Sequence, residues 1–258
     1  MITSRKNAKI QEIRNLLAKK SLRDENGLCV LEGTRLLAEG MQAAWQPRFG
    51  FYCASQLERI NEMVQQLIEM GADMEEVPLD LLSYVADTTN PQGLIVVFEQ
   101  HSLPLPAHPD FVLVLDAIRD PGNLGTTLRT AAAAGVNLVI LTEDCADPFS
   151  PKVLRSGMGA QFHLPILSQS IPDIQTYCLT HKLQIYVADS NGGESCWQQN
   201  YQSPLAMVIG NEANGPSAAF QSPQTQNTLI PMPGGFESLN AAVAAGVLLF
   251  EVVRQRQT

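Results

Sequence analysis

Residues 230–246 carry the strongest indication of the fold, and they read IPMPGGFESLNAAVAAG. A short apolar stretch ends at Ile230, and two glycines then lead to Ser238 and Asn240, residue types that favour the start of a helix. Alanine or glycine occupies five of the next six positions. This pattern predicts a helix from about 238 to 254 that packs closely on a sheet, with polar groups at the end of a strand.

Two other loops place glycines and polar residues after a predicted strand. Residues 116–129 read DAIRDPGNLGTTLR and follow a predicted strand at 111–115, whereas residues 207–217 read MVIGNEANGPS. In parallel sheets, ligands bind beyond the carboxyl ends of the strands, so the three loops are expected to meet at one site. None of the loops contains the G-x-G-x-x-G pattern of dinucleotide-binding folds, which disfavours a nicotinamide-dependent enzyme.

Asn123 and Arg129 stand out in the first loop, because an arginine near a helix start suits an RNA phosphate or a developing oxyanion. A simpler interpretation has Asn123 capping a helix predicted at 124–134 and Arg129 forming a surface ion pair. A capped helix packed on a sheet would likewise explain the alanines of the third loop. It would not explain why three such loops follow strands.

The predicted elements fall into two groups on either side of a proline-rich stretch. Residues 101–109 read HSLPLPAHP and predict a linker between a domain at 1–100 and a second domain at 110–258. The first domain is a smaller α/β unit with strands at 28–31, 49–53, 74–77 and 94–98 and helices at 34–44, 56–70 and 79–86. The second has further strands at 138–141, 183–188, 205–209 and 228–230, which predicts an α/β fold with a mostly parallel sheet.

The composition indicates a chain with a packed core and no membrane span. Of the 258 residues, 45% are hydrophobic and 17% are charged. The longest nearly apolar run, 241–250, is about half a membrane span, and no apolar signal-peptide core precedes the first charges. The five cysteines and four histidines are scattered without a C-x-x-C pair. This disfavours a disulfide framework and a metal site, and it fits reduced thiols in the cytoplasm.

The charge of the chain is unevenly distributed, although its net value of −9 argues against a nucleic-acid partner. Residues 1–35 carry eight basic and four acidic side chains, whereas the remainder carries nine basic and twenty-two acidic ones. Ile10, Ile13, Leu16 and Leu17 recur at helical spacing, so the N-terminal segment is predicted to form a basic amphipathic helix. Such a helix on an acidic body favours a polyanionic partner such as RNA. The alternative is a solvated helix face. The residues expected to contact RNA are Arg5, Lys6, Lys9, Arg14, Lys19 and Lys20.

Taken together, the three loops resemble the SpoU/TrmH family of the SPOUT RNA methyltransferases. The resemblance rests on DPGNLGTTLRTA at 120–131, VIGNEANG at 208–215 and IPMPGGFESLN at 230–240. Residues 150–160, SPKVLRSGMGA, are similar to the segment between the family's first two motifs. Residues 27–39, GLCVLEGTRLLAE, are similar to part of its ribosomal-protein-like RNA-binding domain. One departure is Ala213, where many relatives have glycine.

The resemblance implies a catalytic domain with a C-terminal trefoil knot, S-adenosylmethionine as cofactor, a homodimer, and methylation of a ribose 2′-hydroxyl in RNA. Ribosomal RNA is favoured over tRNA as substrate. Arg155 falls where related enzymes have a second arginine, which would contact RNA. The family's catalytic positions fall on Arg129, Asn123, Ser238, Asn240 and Glu212. The cofactor would be held at Ile209, Gly210, Asn211, Gly215, Ile230, Met232, Gly235, Ser238 and Leu239.

The implied chemistry requires a hydroxyl placed in line with the methyl group and stabilisation of the charge that develops on its oxygen. Because a guanidinium keeps its proton in proteins, Arg129 is expected to act as an electrostatic clamp, and the proton acceptor stays open. Ser238 and Asn240 would orient the hydroxyl or Arg129. Glu212 either acts directly or fixes its loop by accepting backbone N–H bonds. The alternative function is that of a catalytically silent RNA-binding or assembly factor. The presence of the motif residues Asn123, Arg129, Ser238 and Asn240 argues against this alternative.

Overall fold

A computed structural model describes residues 1–190, 192–211, 214–222 and 224–257. The chain divides into two units. The first comprises Met1–His101 together with Phe149–Phe162, and the second comprises Ser102–Pro148 together with His163–Thr258. The chain therefore passes between the units three times, at 101–102, 148–149 and 162–163. No helix among the described residues is long and apolar enough to cross a membrane.

The first unit is built on a four-stranded mixed sheet. Its strands β1 to β4 lie in the order β1-β4-β2-β3, and only β2 and β3 are parallel to each other. The strands are β1 (Leu28–Glu32), β2 (Pro47–Tyr52), β3 (Asp73–Glu76) and β4 (Leu94–Glu99). The helices are α1 (Ala8–Ala18), α2 (Lys20–Asn26), α3 (Thr34–Gln42), α4 (Leu57–Glu69), α5 (Leu79–Val85) and, from the second segment of the unit, α7 (Pro151–Gly157).

Apolar side chains cover both faces of this sheet because residues along each strand alternate between two clusters. On one face α1 and α5 contribute the buried residues Ile10, Ile13, Leu16, Leu81, Leu82 and Val85. On the other face Leu154 and Phe162 join Trp45, Leu31 and Phe98. The ring centroids of Trp45 and Phe162 are 4.7 Å apart, in an edge-to-face arrangement. The segment 149–162 is therefore part of the core of the first unit, although the predicted boundaries assign it to the domain at 110–258.

The second unit contains a seven-stranded sheet in which every described pairing is parallel. The strand order is β7-β6-β5-β10-β8-β11-β9. The strands are β5 (Phe111–Asp116), β6 (Leu138–Leu141), β7 (Ile166–Ser168), β8 (Gln184–Ala188), β9 (Glu194–Ser195), β10 (Leu205–Gly210) and β11 (Thr225–Leu229). The helices are α6 (Pro121–Ala134), α8 (Ile171–Thr180) and α9 (Ala241–Arg256).

The central strands of this sheet are buried on both faces, which explains their unbroken apolar sequences. On β10, Ala206 and Val208 face a cluster that includes Ile174 and Cys178 of α8. Helices α6 and α9 pack against each other, and α9 also contacts β10. The predicted parallel sheet of the second domain is confirmed.

All nine strands predicted from the sequence overlap strands of the structure, but several element boundaries were wrong. Helix α6 begins at Pro121 rather than 124 because Asp120 is its N-cap and accepts a bond from the Asn123 N–H. Helix α9 begins at Ala241 rather than 238 because Asn240 is its N-cap. The strand predicted at 228–230 is Thr225–Leu229. The short strands β7 and β9 and the helices α2, α7 and α8 were not predicted.

Candidate active site

A cleft of about 950 Å³ opens in the second unit where β8, β10 and β11 end and α9 begins. It contains residues from the second and third loops that the sequence singled out. All nine residues predicted to hold the cofactor line it, namely Ile209, Gly210, Asn211, Gly215, Ile230, Met232, Gly235, Ser238 and Leu239. The structure thus brings these residues together at the carboxyl edge of the parallel sheet, where such folds bind ligands.

The loop after β10 folds back closely on the end of its own strand. Asn211 and Gly215 form an antiparallel bridge in which the Gly215 N–H donates to the Asn211 carbonyl oxygen at 3.0 Å. A Cβ atom at Gly210 would lie 2.1 Å from the backbone nitrogen of Pro216, so no side chain fits there without moving the loop. Glu212 and Ala213 lie outside the described residues, so the predicted role of Glu212 stays a prediction.

A buried carboxylate ties this loop to the neighbouring strand. Asp116, the last residue of β5, accepts a bond from the Ser217 backbone N–H at 2.6 Å and another from the Thr142 hydroxyl at 3.2 Å. One side chain thereby joins the ends of β5 and β6 to the loop that follows β10. Asp116 is the first residue of the loop 116–129. Its distance along the sequence from Thr142 and Ser217 did not indicate that it would bond to them.

The loop after β11 reaches the start of α9 through a turn at Gly235. This glycine has φ +76° and its N–H donates to the Met232 carbonyl oxygen at 3.1 Å. Ser238 and Leu239 follow at the cleft, and Asn240 then caps α9 by accepting bonds from the backbone N–H groups of Ala242 and Val243. The cleft therefore ends at the first turn of a helix.

Asn123 and Asn240 join the first turns of α6 and α9. The Asn240 Nδ2 donates to Asn123 Oδ1 at 2.9 Å. The interpretation of Asn123 as the cap of α6 was wrong, since Asp120 holds that position. The two asparagines, which are 117 positions apart in the chain, form one polar link beside the cleft.

Arg129 lies on the exposed side of α6 and does not line the cleft. Within the described part of the chain its side chain forms no hydrogen bond or ion pair. The predicted surface ion pair is therefore not formed, and the guanidinium is available to a ligand.

The basic residues predicted to contact RNA differ in their surroundings. Lys9 donates to Asp73 at 2.5 Å and to Glu75 at 2.6 Å, and these two bonds raise the pKa of Lys9. Arg155 donates to Asp87 at 2.6 Å within the first unit. Arg5, Lys6, Arg14, Lys19 and Lys20 are exposed.

Sequence reasoning missed three cleft residues on β8 and directly after it, Ala188, Asp189 and Ser190, as well as Phe236 and Glu237 in the third loop. The signal for the first three was available, because Ala188 ends a predicted strand at the same edge of the sheet and Asp189 and Ser190 directly follow it. Among the described residues, no group of three or more His, Cys, Asp or Glu side chains is placed to hold a metal ion.

A parallel α/β sheet with a cleft formed by glycine-containing loops at its carboxyl edge defines a nucleotide-type ligand site. Residues 110–250 match the SpoU rRNA Methylase family and residues 7–96 match the MRM3-like substrate binding domain. Because the first match covers more than half of the chain, the protein belongs to the SpoU methylase family.

Similar proteins span nearly the whole chain. The chain is 36% identical to an uncharacterized tRNA/rRNA methyltransferase of Synechocystis, over 99% of this chain and 94% of the relative. It is 31% identical to the 23S rRNA (guanosine(2553)-2'-O)-methyltransferase RlmP of Bacillus subtilis, over 97% of this chain and 98% of the relative. The AdoMet-bound rRNA methyltransferase from Sinorhizobium meliloti superposes with a TM-score of 0.87 at 30% identity, covering 98% of this chain and 97% of that one.

Proposed function

We propose that this protein transfers a methyl group from S-adenosylmethionine to a ribose 2′-hydroxyl of ribosomal RNA. The observation that carries the proposal is the cleft, since the nine residues expected at the cofactor line a single cavity. Relatives named as rRNA 2'-O-methyltransferases and a structural neighbour with bound AdoMet support it. The matched substrate-binding domain at 7–96 supports an RNA substrate.

The residues of the cleft suit this cofactor. The volume of about 950 Å³ lies within the range of small-molecule sites. Ile209, Ile230 and Leu239 offer apolar side chains for the adenine, whereas the Asp189 and Glu237 carboxylates can accept bonds from hydroxyl or ammonium groups. When bound, the cofactor supplies a methyl group on a sulfonium, so the protein has only to bind, orient and stabilise charge.

Two side chains have proposed roles toward the target hydroxyl, and two more position them. Ser238 lies at the cleft and orients the hydroxyl. Arg129 stabilises negative charge on the ribose oxygen and on the adjacent phosphate, because its guanidinium is unpaired and keeps its proton. The Asn123–Asn240 bond holds the starts of α6 and α9 in place and so fixes both of these groups.

We propose that the enzyme is a homodimer and that its catalytic domain contains the trefoil knot of the family. Helix α9 exposes Val243 and Phe250 to 53% and 49%, and a second copy of the chain is the proposed partner for this apolar side of the helix. A molar mass of one chain in light scattering would contradict the dimer. A reducing compartment, the cytoplasm, is proposed because all five cysteines are free thiols.

Methyl transfer is tested with the purified protein, radiolabelled S-adenosylmethionine, and rRNA and tRNA from a strain that lacks the enzyme. Label is expected in rRNA, in a nucleotide that resists alkaline hydrolysis because its 2′-oxygen is blocked. Label in tRNA instead of rRNA would mean that tRNA is the substrate, while the proposed methyl transfer would still stand. RNA binding without cofactor binding in calorimetry would instead identify a silent RNA-binding or assembly factor.

A further inference from the structure

Two arginines meet on one tyrosine ring at the surface of the first unit. The Cζ atoms of Arg5 and Arg14 lie 4.4 Å and 4.2 Å from the ring centroid of Tyr84. The Arg14 Nη1 also donates to the Tyr84 hydroxyl. Both guanidinium groups are exposed, and the ring is half-buried. These three residues are called the Arg5–Tyr84–Arg14 cluster below.

The cluster rests on a rigid base. Tyr84 belongs to α5 and Arg14 to α1, and these two helices pack in the same buried apolar layer. Arg5 precedes α1, but its carbonyl oxygen accepts a bond from Gln11 Nε2 at 2.6 Å, and the Ile2 N–H donates to the Glu76 carbonyl oxygen at 2.9 Å. Since the backbone and the ring are held, little conformational freedom remains to be lost when a ligand binds.

The charges of the cluster are not compensated. Neither Arg5 nor Arg14 forms an ion pair with a carboxylate within the described ranges, whereas Lys9 of α1 contacts two. Attraction to the face of the tyrosine ring holds each guanidinium in place, but it leaves both positive charges. Two like charges beside one ring raise the local potential and favour an anion.

We propose that the Arg5–Tyr84–Arg14 cluster binds phosphate groups of the RNA substrate, and this inference rests on the proposed function. Guanidinium groups are planar and present paired N–H donors that match phosphate oxygens, so two of them on one ring can hold adjacent parts of a sugar–phosphate backbone. The cluster lies in the part of the chain that matches a substrate-binding domain. Lys9, whose charge is neutralised, is not part of this surface. Tyr84 is thus a positioning residue, because it fixes both arginines.

The proposal is tested by the salt dependence of binding to a labelled single-stranded RNA in fluorescence anisotropy. Removing one contact to a phosphate should reduce the slope of log K against log salt by about 0.7. Arg5→Gln and Arg14→Gln are each expected to reduce it by that amount, and the double variant by roughly twice as much. Arg59→Gln is the matched control, since Arg59 is an exposed arginine on α4 of the same unit and has no ion pair with any residue that the structure describes. Slopes of R5Q and R14Q equal to those of R59Q would overturn the proposal.

Tyr84→Leu keeps both charges and removes the ring. RNA affinity is expected to fall about tenfold because the guanidinium groups lose their fixed positions, while Tyr84→Phe, which keeps the ring, retains most of the affinity. Wild-type affinity in Y84L would show that the ring has no such role. Thermal unfolding and cofactor calorimetry of each variant exclude misfolding as the cause.

Methylation kinetics separate this inference from the proposed function. If the wild type methylates rRNA and the R5Q/R14Q double variant has a raised KM with an unchanged kcat, both stand. If the wild type methylates rRNA and the double variant has wild-type KM and salt slope, only the cluster is refuted. If the wild type transfers no methyl group, the proposed function is refuted. The salt slopes of the variants still show whether the Arg5–Tyr84–Arg14 cluster binds RNA phosphates.

Discussion

A Cβ atom at position 210 would lie 2.1 Å from the Pro216 nitrogen and 2.2 Å from the Gly215 carbonyl carbon. The sequence analysis places Gly210 among the residues that would hold the cofactor, but the atoms closest to this Cβ position belong to the protein itself. These atoms are in the backbone of Gly215 and Pro216, where the loop after β10 folds back on the end of its strand. Gly210→Ala should therefore open the loop that borders the cleft, and we expect cofactor affinity to fall at least about tenfold in calorimetry.

Gly234→Ala provides the matched control for this substitution. Apart from its two chain neighbours, no described residue has an atom within 4 Å of a Cβ built at Gly234, and its φ is not in the left-handed region. We expect cofactor affinity and the melting temperature of G234A to match the wild type. Equal effects of the two substitutions would contradict the role of the close packing at Gly210.

Arg129→Ala should lower turnover on the order of a hundredfold or more with little change in cofactor affinity, because the guanidinium does not line the cleft. The control is Arg119→Ala, which removes an exposed arginine from the same loop, one that pairs with Asp144 at 3.1 Å. Single-turnover kinetics and calorimetry measure the two effects. Equal loss of cofactor affinity in R129A would identify a structural role instead.

An amide–amide bond between Asn240 and Asn123 links the starts of α6 and α9, and two substitutions can separate its role from capping. Asn240→Ala removes both the cap and the bond to Asn123, so unfolding free energy should fall by about 1 kcal/mol or more. Asn240→Asp keeps an acceptor for the cap and lacks the Nδ2 donor. We expect near-normal stability of N240D in denaturant titration but reduced turnover. Wild-type turnover in N240D would show that the link to Asn123 does not serve catalysis.

Near the end of α9, a buried carboxylate makes stability depend on pH. Bonds from Arg254 and Gln255 lower the pKa of Glu251, against the opposing effect of burial. Because the folded state lowers this pKa, ionised Glu251 stabilises the fold at neutral pH, and the stabilisation is lost as the pH falls through the folded value. Glu251→Gln should cost about 1 to 2 kcal/mol at pH 7 and progressively less in acid.

Denaturant titrations between neutral and acidic pH test this expectation, with Glu62→Gln as the control because Glu62 is an exposed carboxylate on α4. E62Q should follow the wild type at every pH. A constant difference between E251Q and the wild type across the range would contradict a role for the ionised carboxyl.

The elements that the sequence predicted correctly are those whose pattern reflects local burial. Strands such as β5 and β10 are continuous apolar runs, since both of their faces are covered. The strands β7 and β9 have only three and two residues, too few for any periodicity, and their pairing depends on neighbours distant in the chain. Helix α7 was missed because it has only seven residues and its buried Leu154 packs in a cluster with residues more than fifty positions earlier.

The candidate site was predictable to a similar extent. Its glycines and polar residues follow strands and carry recognisable motifs, so the cleft could be expected at that edge of the sheet. The Asp116 bond to Ser217 and the Asn123–Asn240 bond were not predictable, because each joins residues more than one hundred positions apart. The pairing of Lys9 with Asp73 and Glu75 was not predictable for the same reason, since both partners lie on β3 and only the fold brings them to Lys9.

The three passages of the chain between the units predict how the protein responds to truncation. A fragment of residues 110–258 would carry Leu154 and Phe162 without Trp45, Leu31 and Phe98, which bury them in the full chain. We expect this fragment to bind a hydrophobic dye such as ANS and to melt at a lower temperature than the full protein. Replacing 149–162 in the fragment by a Gly/Ser linker should remove most of the dye binding. A fragment with no dye binding and the full melting temperature would contradict the expectation.

The same arrangement has a consequence for synthesis on the ribosome. Domains usually fold in order as they leave the exit tunnel, the N-terminal one first. Here the ring of Phe162 completes the packing around Trp45, so the N-terminal unit lacks part of its interior until a long stretch of the following domain has been translated. Nascent chains stalled before residue 149 should therefore be cleaved by protease within the N-terminal unit more readily than chains stalled well beyond residue 162. The two halves of the enzyme would mature together rather than one after the other.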